Sequence, residues 1–249
     1  MAAVRLDLGQ RRLVAPLFAG WDKSLPAAYL QGHKGYALAD DVEAPASAQI
    51  VVGDFCFFAG RPDYEIAACA AASIMVARTK AWDSMLASVW AGRAERHTRY
   101  AVQRAHSGFH IAKLQSLTAL PAGFSLCRID AALCEILLQE NWSRDLCALF
   151  GCGADFFRRG LGFAVLHRGK PVAGASSYTV YDDGIEIEID TSPAYRRRGL
   201  ASACGARLVL ECLDRGLNPC WDAHDLRSAA LAKKLGYTNA KAYPVLLKR

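Results

Sequence analysis

The sequence predicts an α+β protein, in which a main domain of strands and helices is preceded by a smaller α/β N-terminal domain. Three observations support this prediction. Isoleucines alternate with acidic residues over 185–189, which is typical of a strand. Residues 199–215 predict a helix that ends at Gly216, and residues 226–235 predict another that ends at Gly236. Glycine-containing turns separate short strands elsewhere.

The second half of the chain supplies most of the predicted sheet and its helices. The predicted elements are, in order, a strand at 124–129, a helix at 131–140 capped by Asp130, a helical stretch at 142–150 broken near 151–153, strands at 163–166 and 174–181 joined by a turn at Gly169, the strand at 185–189, the helix at 199–215, a strand at 219–221, the helix at 226–235 and a strand at 243–247.

The first half is predicted to be mixed α/β. The predicted elements there are helical pieces within 13–30, strands at 48–54 and 55–59, a helix at 66–72, a strand at 73–77 and a helix at 82–93. Residues 93–104 are rich in arginine and predict a solvated helix face, with a phosphate or acidic-substrate contact as the alternative. The sequence around Pro121 predicts a boundary between an N-terminal lobe, 1–120, which would cover a substrate groove, and a main domain, 121–249.

Composition, net charge and cysteine spacing disfavour several classes of protein. Of the 249 residues, 53% are hydrophobic and 22% charged, which favours a sizeable core over disorder. The net charge of +6 suits an anionic cofactor but does not by itself indicate nucleic-acid binding. The sequence also shows no nucleic-acid-binding motif. Nine irregularly spaced cysteines without a C-x-x-C pair argue against a disulfide scaffold or a zinc site. The cysteine pattern therefore leads us to expect no bound metal. The sequence has no apolar signal-peptide core and no apolar run long enough to span a membrane, so we expect a cytoplasmic protein.

The most informative motif runs from Asp190 to Ala201 and joins a predicted strand to a predicted helix. Arg196, Gly199 and Ala201 fit the spacing Arg/Gln-x-x-Gly-x-Gly/Ala. Such a turn exposes backbone N–H groups at a helix N-terminus, where the helix dipole favours an anion. Glycine lets a phosphate approach the backbone, and arginine adds charge. The alternative is an ordinary solvated helix start.

This motif resembles the acyl-CoA pyrophosphate loop of the GNAT superfamily of N-acetyltransferases, and the resemblance covers about residues 122–249. It implies the GNAT fold, an α/β/α arrangement in which helices cover both faces of a central mixed, mostly antiparallel sheet. It also implies acetyl-CoA as co-substrate, with two sets of cofactor contacts. The pyrophosphate would be held by Arg196, Arg197, Arg198, Gly199, Leu200 and Ala201, and the pantetheine arm would lie beside Ile189 and Thr191.

A second stretch, 225–237, resembles the last helix of the same superfamily, which packs beside the pantetheine arm. Ser228 is one of five positions that match, and Asp225 replaces the usual asparagine. The resemblance therefore implies that Asp225 and Ser228 also contact the cofactor. Ala232 replaces a tyrosine that is thought to protonate the leaving thiolate in many relatives. The resemblance therefore implies that another acid, a water or no acid serves that step here.

Three carboxylates are candidates for the general base that takes a proton from the incoming amine. Glu186 and Glu188 share one face of a predicted central strand, where carboxylates are costly unless paired or lining a cleft. The alternative is a structural ion pair with Arg158 or Arg159. A β-bulge in this strand would change which face each glutamate occupies. Asp222, after the next strand, is the third candidate, with a turn or cap role as its alternative.

We expect an acetyl-CoA-dependent N-acetyltransferase that works by direct attack in a ternary complex on a small amine or peptide acceptor. The alternative is a catalytically impaired GNAT-like module that binds CoA or a protein partner, and Ala232 keeps that alternative open. Binding to nucleic acid or to a membrane is not expected. The acceptor remains open, and so does homodimer formation.

Overall fold

The computed structural model describes residues 3–104 and 108–249. The chain forms two compact units, the first made of Met1–Arg99 together with Ala242–Arg249 and the second of Tyr100–Lys241. The functional division at residues 120 and 121 stays a prediction.

The described residues form twelve strands and nine α-helices, with short 3-10 turns between some of them. The strands are β1 (Val4–Leu6), β2 (Tyr36–Ala39), β3 (Ser47–Val52), β4 (Phe55–Gly60), β5 (Ile74–Ala77), β6 (Ala94–Arg104), β7 (Phe124–Arg128), β8 (Gly162–His167), β9 (Lys170–Tyr181), β10 (Gly184–Thr191), β11 (Asn218–Ala223) and β12 (Tyr237–Lys248). The helices are α1 (Ala15–Phe18), α2 (Ser24–Leu30), α3 (Tyr64–Ala68), α4 (Lys80–Val89), α5 (Ile111–Leu117), α6 (Ala131–Gln139), α7 (Gly153–Arg159), α8 (Leu200–Asp214) and α9 (Leu226–Leu235).

The first unit is built on the strand order β1-β2-β3-β4-β5-β12. Strands β1 to β4 are antiparallel, β4 and β5 are parallel, and β12 joins antiparallel to β5 with Leu246 opposite Met75. Its core includes Trp82, whose indole N–H donates to the carbonyl of Gly60 at 2.9 Å. The first unit is therefore mixed α/β, and β12 brings into it residues from the far end of the chain.

The second unit has the strand order β6-β11-β10-β9-β8-β7, in which only β10 and β11 are parallel. One core cluster packs α5, α8 and α9 against alternate side chains of the sheet, such as Val165 and Ile187. A second cluster packs α6 and α7 against the intervening side chains, such as Ala164. The mixed, mostly antiparallel sheet with helices on both faces is therefore confirmed.

Two local predictions are wrong, and one helix was not predicted. Residues 94–104 form strand β6 rather than a helix, because Tyr100 to Val102 pair with β11. The helix that was not predicted is α7, which begins at Gly153, the last residue of the predicted break. The lack of a side chain at Gly153 allows a close approach, since a Cβ there would lie 2.3 Å from the carbonyl oxygen of Ala131. The helical stretch predicted at 142–150 is reduced to a single 3-10 turn, Arg144–Leu146.

Candidate functional site

The loop between β10 and α8 has an unusual backbone. After Thr191 a 3-10 turn covers Pro193–Tyr195, and α8 begins at Leu200. Arg197 has φ +63° and Gly199 has φ +82°, both in the left-handed region that side chains disfavour. No atom lies within 4 Å of a Cβ added to Gly199. The backbone at Gly199 therefore faces open space, as the sequence predicts for a group that must be approached closely.

The start of α8 presents a set of backbone donors. The N–H of Ala203 donates to the carbonyl of Gly199 at 3.1 Å, which begins the helical ladder. By helix geometry, the N–H groups of Leu200, Ala201 and Ser202 then have no acceptor inside the helix. The 15-residue helix also directs the positive end of its dipole at the loop. The loop can therefore bind an anion through backbone groups, although the Leu200 side chain itself is buried in the core.

The three arginines of the loop are exposed and differ in their contacts. Arg196 donates from Nε to the carbonyl of Thr191 at 3.1 Å and lies 3.8 Å from an Asp190 carboxylate oxygen. The Arg198 guanidinium lies 5.3 Å from the ring centre of Tyr195. These contacts place positive charge around the helix start.

Tyr195 fixes the loop to the sheet, a role that sequence analysis missed. Its hydroxyl lies 3.0 Å from Nδ1 of His167, at the end of β8. Phe124 stacks on His167 with ring centres 4.7 Å apart and meets the Tyr195 ring edge-on. No local sequence signal marks this cluster, because it joins residues from three separate parts of the chain.

Strands β10 and β11 separate beside this loop. Their paired residues run from Gly184 and Asn218 to Glu186 and Cys220. Beyond that point β10 continues to Thr191 paired with β9, and β11 continues to Ala223 paired with β6. The facing edges of the two strands are therefore not paired with each other over the stretch that leads to the loop.

Thr191 ends β10 and has an unsatisfied side chain. Its residue is 8% exposed, and its Oγ1 is one of three buried side-chain oxygens without a hydrogen-bond partner in the described part of the chain, with those of Ser47 and Asn218. Buried hydroxyls are normally satisfied. The hydroxyl at the end of the separated strand is thus enclosed by the protein, and in this conformation it is not open to a ligand.

Of the three predicted bases, Glu186 is the most buried. It is 6% exposed, and its Oε1 accepts a hydrogen bond from the backbone N–H of Asp222 at 2.8 Å. Arg158 and Arg159, the arginines considered as its partners, both bind Asp155. The hydrogen bond from Arg159, helped by that from Arg158, holds the pKa of the Asp155 carboxyl well below its usual range.

Glu188 and Asp222 are half-buried. Glu188 lies on the separated stretch of β10, and its Oε1 accepts from the N–H of Ile189 at 3.2 Å. The bulge considered for this region exists, but its extra residue is Tyr178 on β9. Ile187 consequently stays in the core, and Glu188 stays on the opposite face.

Asp190, which sequence analysis did not single out for catalysis, continues that acidic face. Burial raises the pKa of its carboxyl, although the N–H of Thr191 and the charge of Arg196 act in the opposite direction. Glu186, Glu188 and Asp190 alternate with isoleucines, so one side of β10 is acidic toward the point where the strands separate.

The residues of the second motif have structural partners. Asp225 caps α9 by accepting from the N–H of Ser228 at 2.8 Å. The Ser228 hydroxyl accepts from the indole N–H of Trp221 at 3.1 Å. Ala232 is completely buried among core residues. Cofactor contacts for Asp225 and Ser228 stay predictions.

Residues 3–104 and 108–249 contain neither a metal-binding cluster nor a helix that could span a membrane. No group of three or more histidine, cysteine, aspartate or glutamate side chains is placed to hold a metal ion there. In the same residues, none of the helices combines the length and apolarity needed to cross a membrane.

Comparisons with known proteins point in one direction. A family model described as GNAT acetyltransferase matches residues 15–246. An uncharacterized N-acetyltransferase of Bacillus subtilis (strain 168), YdfB, is 28% identical over 173 residues, which cover 66% of this chain and 61% of that relative. The matched region thus spans less than two thirds of the relative's length.

Solved structures give the same picture. A GCN5-related N-acetyltransferase-like protein from Streptococcus suis 89/1591 is 41% identical, with a TM-score of 0.91 over 98% of this chain and 100% of that one. A GNAT-family acetyltransferase from Colwellia psychrerythraea is 11% identical with a TM-score of 0.55, covering 100% and 99% of the two chains, which shows a shared fold alone.

Proposed function

The chain belongs to the GNAT acetyltransferase family, and on that premise we propose that it transfers an acetyl group from acetyl-CoA to an amine by direct attack in a ternary complex. The observation that carries the proposal is the loop at Arg197 and Gly199. It turns a left-handed backbone and the amides of a long helix toward open space, next to the point where β10 and β11 separate.

We assign the diphosphate of acetyl-CoA to the start of α8. The N–H groups of Leu200 and Ala201 would donate to it, and Arg196, Arg197 and Arg198 would supply charge, since oriented amides and guanidinium groups both favour phosphate oxygens. Glycine at 199 matters because a side chain there would stand between the phosphate and the backbone.

We assign the pantetheine arm to the unpaired edge of β10 near Ile189 and Thr191. An extended amide chain can add to a free strand edge by backbone hydrogen bonds. When bound, acetyl-CoA supplies the acetyl group as a thioester, and a backbone N–H at this edge would polarise the carbonyl.

For the general base we propose Glu188, with Asp222 as the second candidate. Glu188 is half-buried on the acidic side of β10, beyond the last residue that pairs with β11. A carboxylate in that position can accept a proton from an amine directly or through one water. The succession of Glu186, Glu188 and Asp190 on this side also favours a cationic amine as acceptor.

The experiment that tests the donor site is acetyl-CoA binding by calorimetry with two matched glycine variants. Gly199→Val and Gly216→Val alter opposite ends of α8. Both glycines have positive φ, +82° and +68°, and neither has an atom within 4 Å of an added Cβ. The backbone strain of the two substitutions is therefore similar, about 1–2 kcal/mol.

We expect Gly216→Val to retain acetyl-CoA binding and Gly199→Val to lose it, because only the latter blocks the approach of the diphosphate. If Gly199→Val retains acetyl-CoA affinity equal to that of Gly216→Val and of the wild-type protein, the donor site is refuted. If the wild-type protein binds acetyl-CoA but releases no free thiol with any amine of a broad panel, the alternative of a binding module that has lost catalysis is favoured. The replacement at Ala232 is the observation behind that alternative.

A further inference from the structure

Glu186 places a carboxylate in the interior of the second unit, with the residue only 6% exposed. Burial of a carboxylate is unfavourable unless hydrogen bonds compensate for the lost water. The bond to the N–H of Asp222, 2.8 Å long, connects the side chain of one strand to the backbone of its neighbour. A charge-assisted bond of this kind is among the stronger ones in proteins.

The direction of that N–H follows from the strand pairing. The N–H of Asn218 donates to the carbonyl of Asp183 at 2.7 Å, so at this position the backbone of β11 points toward β10. Amides two residues apart on a strand point to the same side, and the N–H of Asp222 therefore also faces β10. Paired residues of the two strands end at Glu186 and Cys220, before Asp222 is reached.

A backbone N–H on a buried sheet edge needs an acceptor. At Asp222 the neighbouring strand has already moved away, and the side chain of Glu186 reaches forward to fill the place of the absent ladder bond. The carboxylate thus satisfies the edge of β11 without bringing the two backbones together. It also fixes the backbone of the residue that carries the second candidate base.

We propose that Glu186 is a positioning residue, not the general base: its carboxylate keeps β10 and β11 separated where acetyl-CoA enters, and it holds Asp222 in place. The effect on catalysis rests on the proposed function, whereas the effect on the Asp222 amide does not.

Hydrogen exchange at the Asp222 amide tests the structural half without any ligand. Glu186→Gln keeps a side-chain oxygen that can accept the bond, and Glu186→Ala removes it. We expect the protection factor of this amide to stay within about threefold of wild type in Glu186→Gln. In Glu186→Ala it should fall at least about tenfold, since a hydrogen bond of this kind changes an opening equilibrium by about tenfold. Glu188→Ala is the matched control and should leave this amide protected.

Acetyl-CoA binding and turnover test the functional half. Glu186→Gln should leave the Kd for acetyl-CoA unchanged. Its kcat, measured with the amine that the wild-type protein acetylates fastest, should stay within about threefold of wild type, and the pH profile of kcat should be unchanged. Glu186→Ala should raise the Kd for acetyl-CoA. A kcat about 100-fold lower in Glu186→Gln, with the Asp222 amide still protected, would make Glu186 the base and overturn the proposal.

The positioning role of Glu186 and the proposed function can be refuted independently of each other. Loss of protection at Asp222 in Glu186→Gln, or retained protection in Glu186→Ala, would overturn the positioning role whatever the activity. Failure of the wild-type protein to bind acetyl-CoA would refute the proposed function, while the exchange measurement would still decide whether Glu186 holds the two strands. Should Glu186→Ala not fold, the exchange and turnover of Glu186→Gln remain decisive.

Discussion

The indole N–H of Trp221 donates to the hydroxyl of Ser228 at 3.1 Å and so ties strand β11 to the first turn of α9. Both residues belong to stretches that resemble the GNAT superfamily, and Ser228 was expected to contact the cofactor. The hydroxyl of Tyr237, the first residue of β12, donates to the carbonyl of Pro219 at 2.8 Å and ties the segment that follows α9 to the same strand. Hydrogen bonds therefore connect β11 to the chain just inside the start of α9 and just beyond its end.

Ser228→Ala should destabilise the protein. Trp221 is buried, and its N–H would lose its acceptor, which costs about 1–3 kcal/mol. The midpoint of urea unfolding, with the slope unchanged, measures this loss. Ser116→Ala, at an exposed serine of helix α5, is the control and should change stability by less than about 0.5 kcal/mol. An unaltered midpoint in Ser228→Ala would show that water or another group satisfies the indole.

Ala232→Tyr should also destabilise, and it should not restore a tyrosine acid. Ala232 has no exposed surface and lies in the core cluster with Leu235, so a phenol ring would overpack α9 by about 1–3 kcal/mol or more. Thermal unfolding of this variant can be compared with that of Ala230→Tyr, at an exposed position of the same helix. Full stability together with faster thiol release in Ala232→Tyr would contradict this expectation.

Glu188→Gln should lower kcat by about 100-fold or more if Glu188 is the general base, because the amide cannot accept the proton. Acetyl-CoA affinity should change little, since the substitution preserves shape. The pH profile of kcat, measured by thiol release, should lose the limb that reports the base. A wild-type rate and profile would transfer the role to Asp222 or to water.

Asp190→Asn should raise the melting temperature at neutral pH. Burial raises the pKa of Asp190, so the folded state binds its proton more tightly than the unfolded state does. The associated stability is present below the unfolded pKa and is lost as the pH rises through the folded one. The variant has no such loss and keeps an oxygen for the N–H of Thr191. Its advantage should therefore disappear toward about pH 3.

A melting temperature for Asp190→Asn below that of wild type at neutral pH would mean that the carboxylate stabilises the loop through Arg196. The 3.8 Å separation of the two charged groups at the surface makes that contribution small. Asp183→Asn, at an exposed position in the turn before β10, serves as the control for a general change in net charge.

Features set by short-range chemistry could be predicted from the sequence. Asp225 and Asp130 cap the helices that were predicted to follow them, and Gly216 and Gly236 have the positive φ of a helix end. The position of the loop at Gly199 was also predictable, because the glycine and arginine spacing is contained in a few residues.

Features set by contacts between distant residues could not be predicted. Residues 94–104 resemble a charged helix until the partner strand β11 is known. Gly153 resembles a helix breaker, and only its closeness to Ala131 shows why a glycine stands at the start of α7. The bond from Asp222 to Glu186 requires knowing where β10 and β11 separate, and no local pattern of residues encodes that.

The placement of residues 242–249 beside β5 has a consequence for how the protein is made. Strand β12 supplies the neighbour of β5 through Leu246 and Met75, so the sheet of the first unit includes a segment that leaves the ribosome after all of residues 100–241. During synthesis the edge of β5 stays unpaired until residues 242–249 are made, and an unpaired strand edge can associate with other chains. All residues of the second unit are therefore synthesised before the sheet of the first unit can be completed.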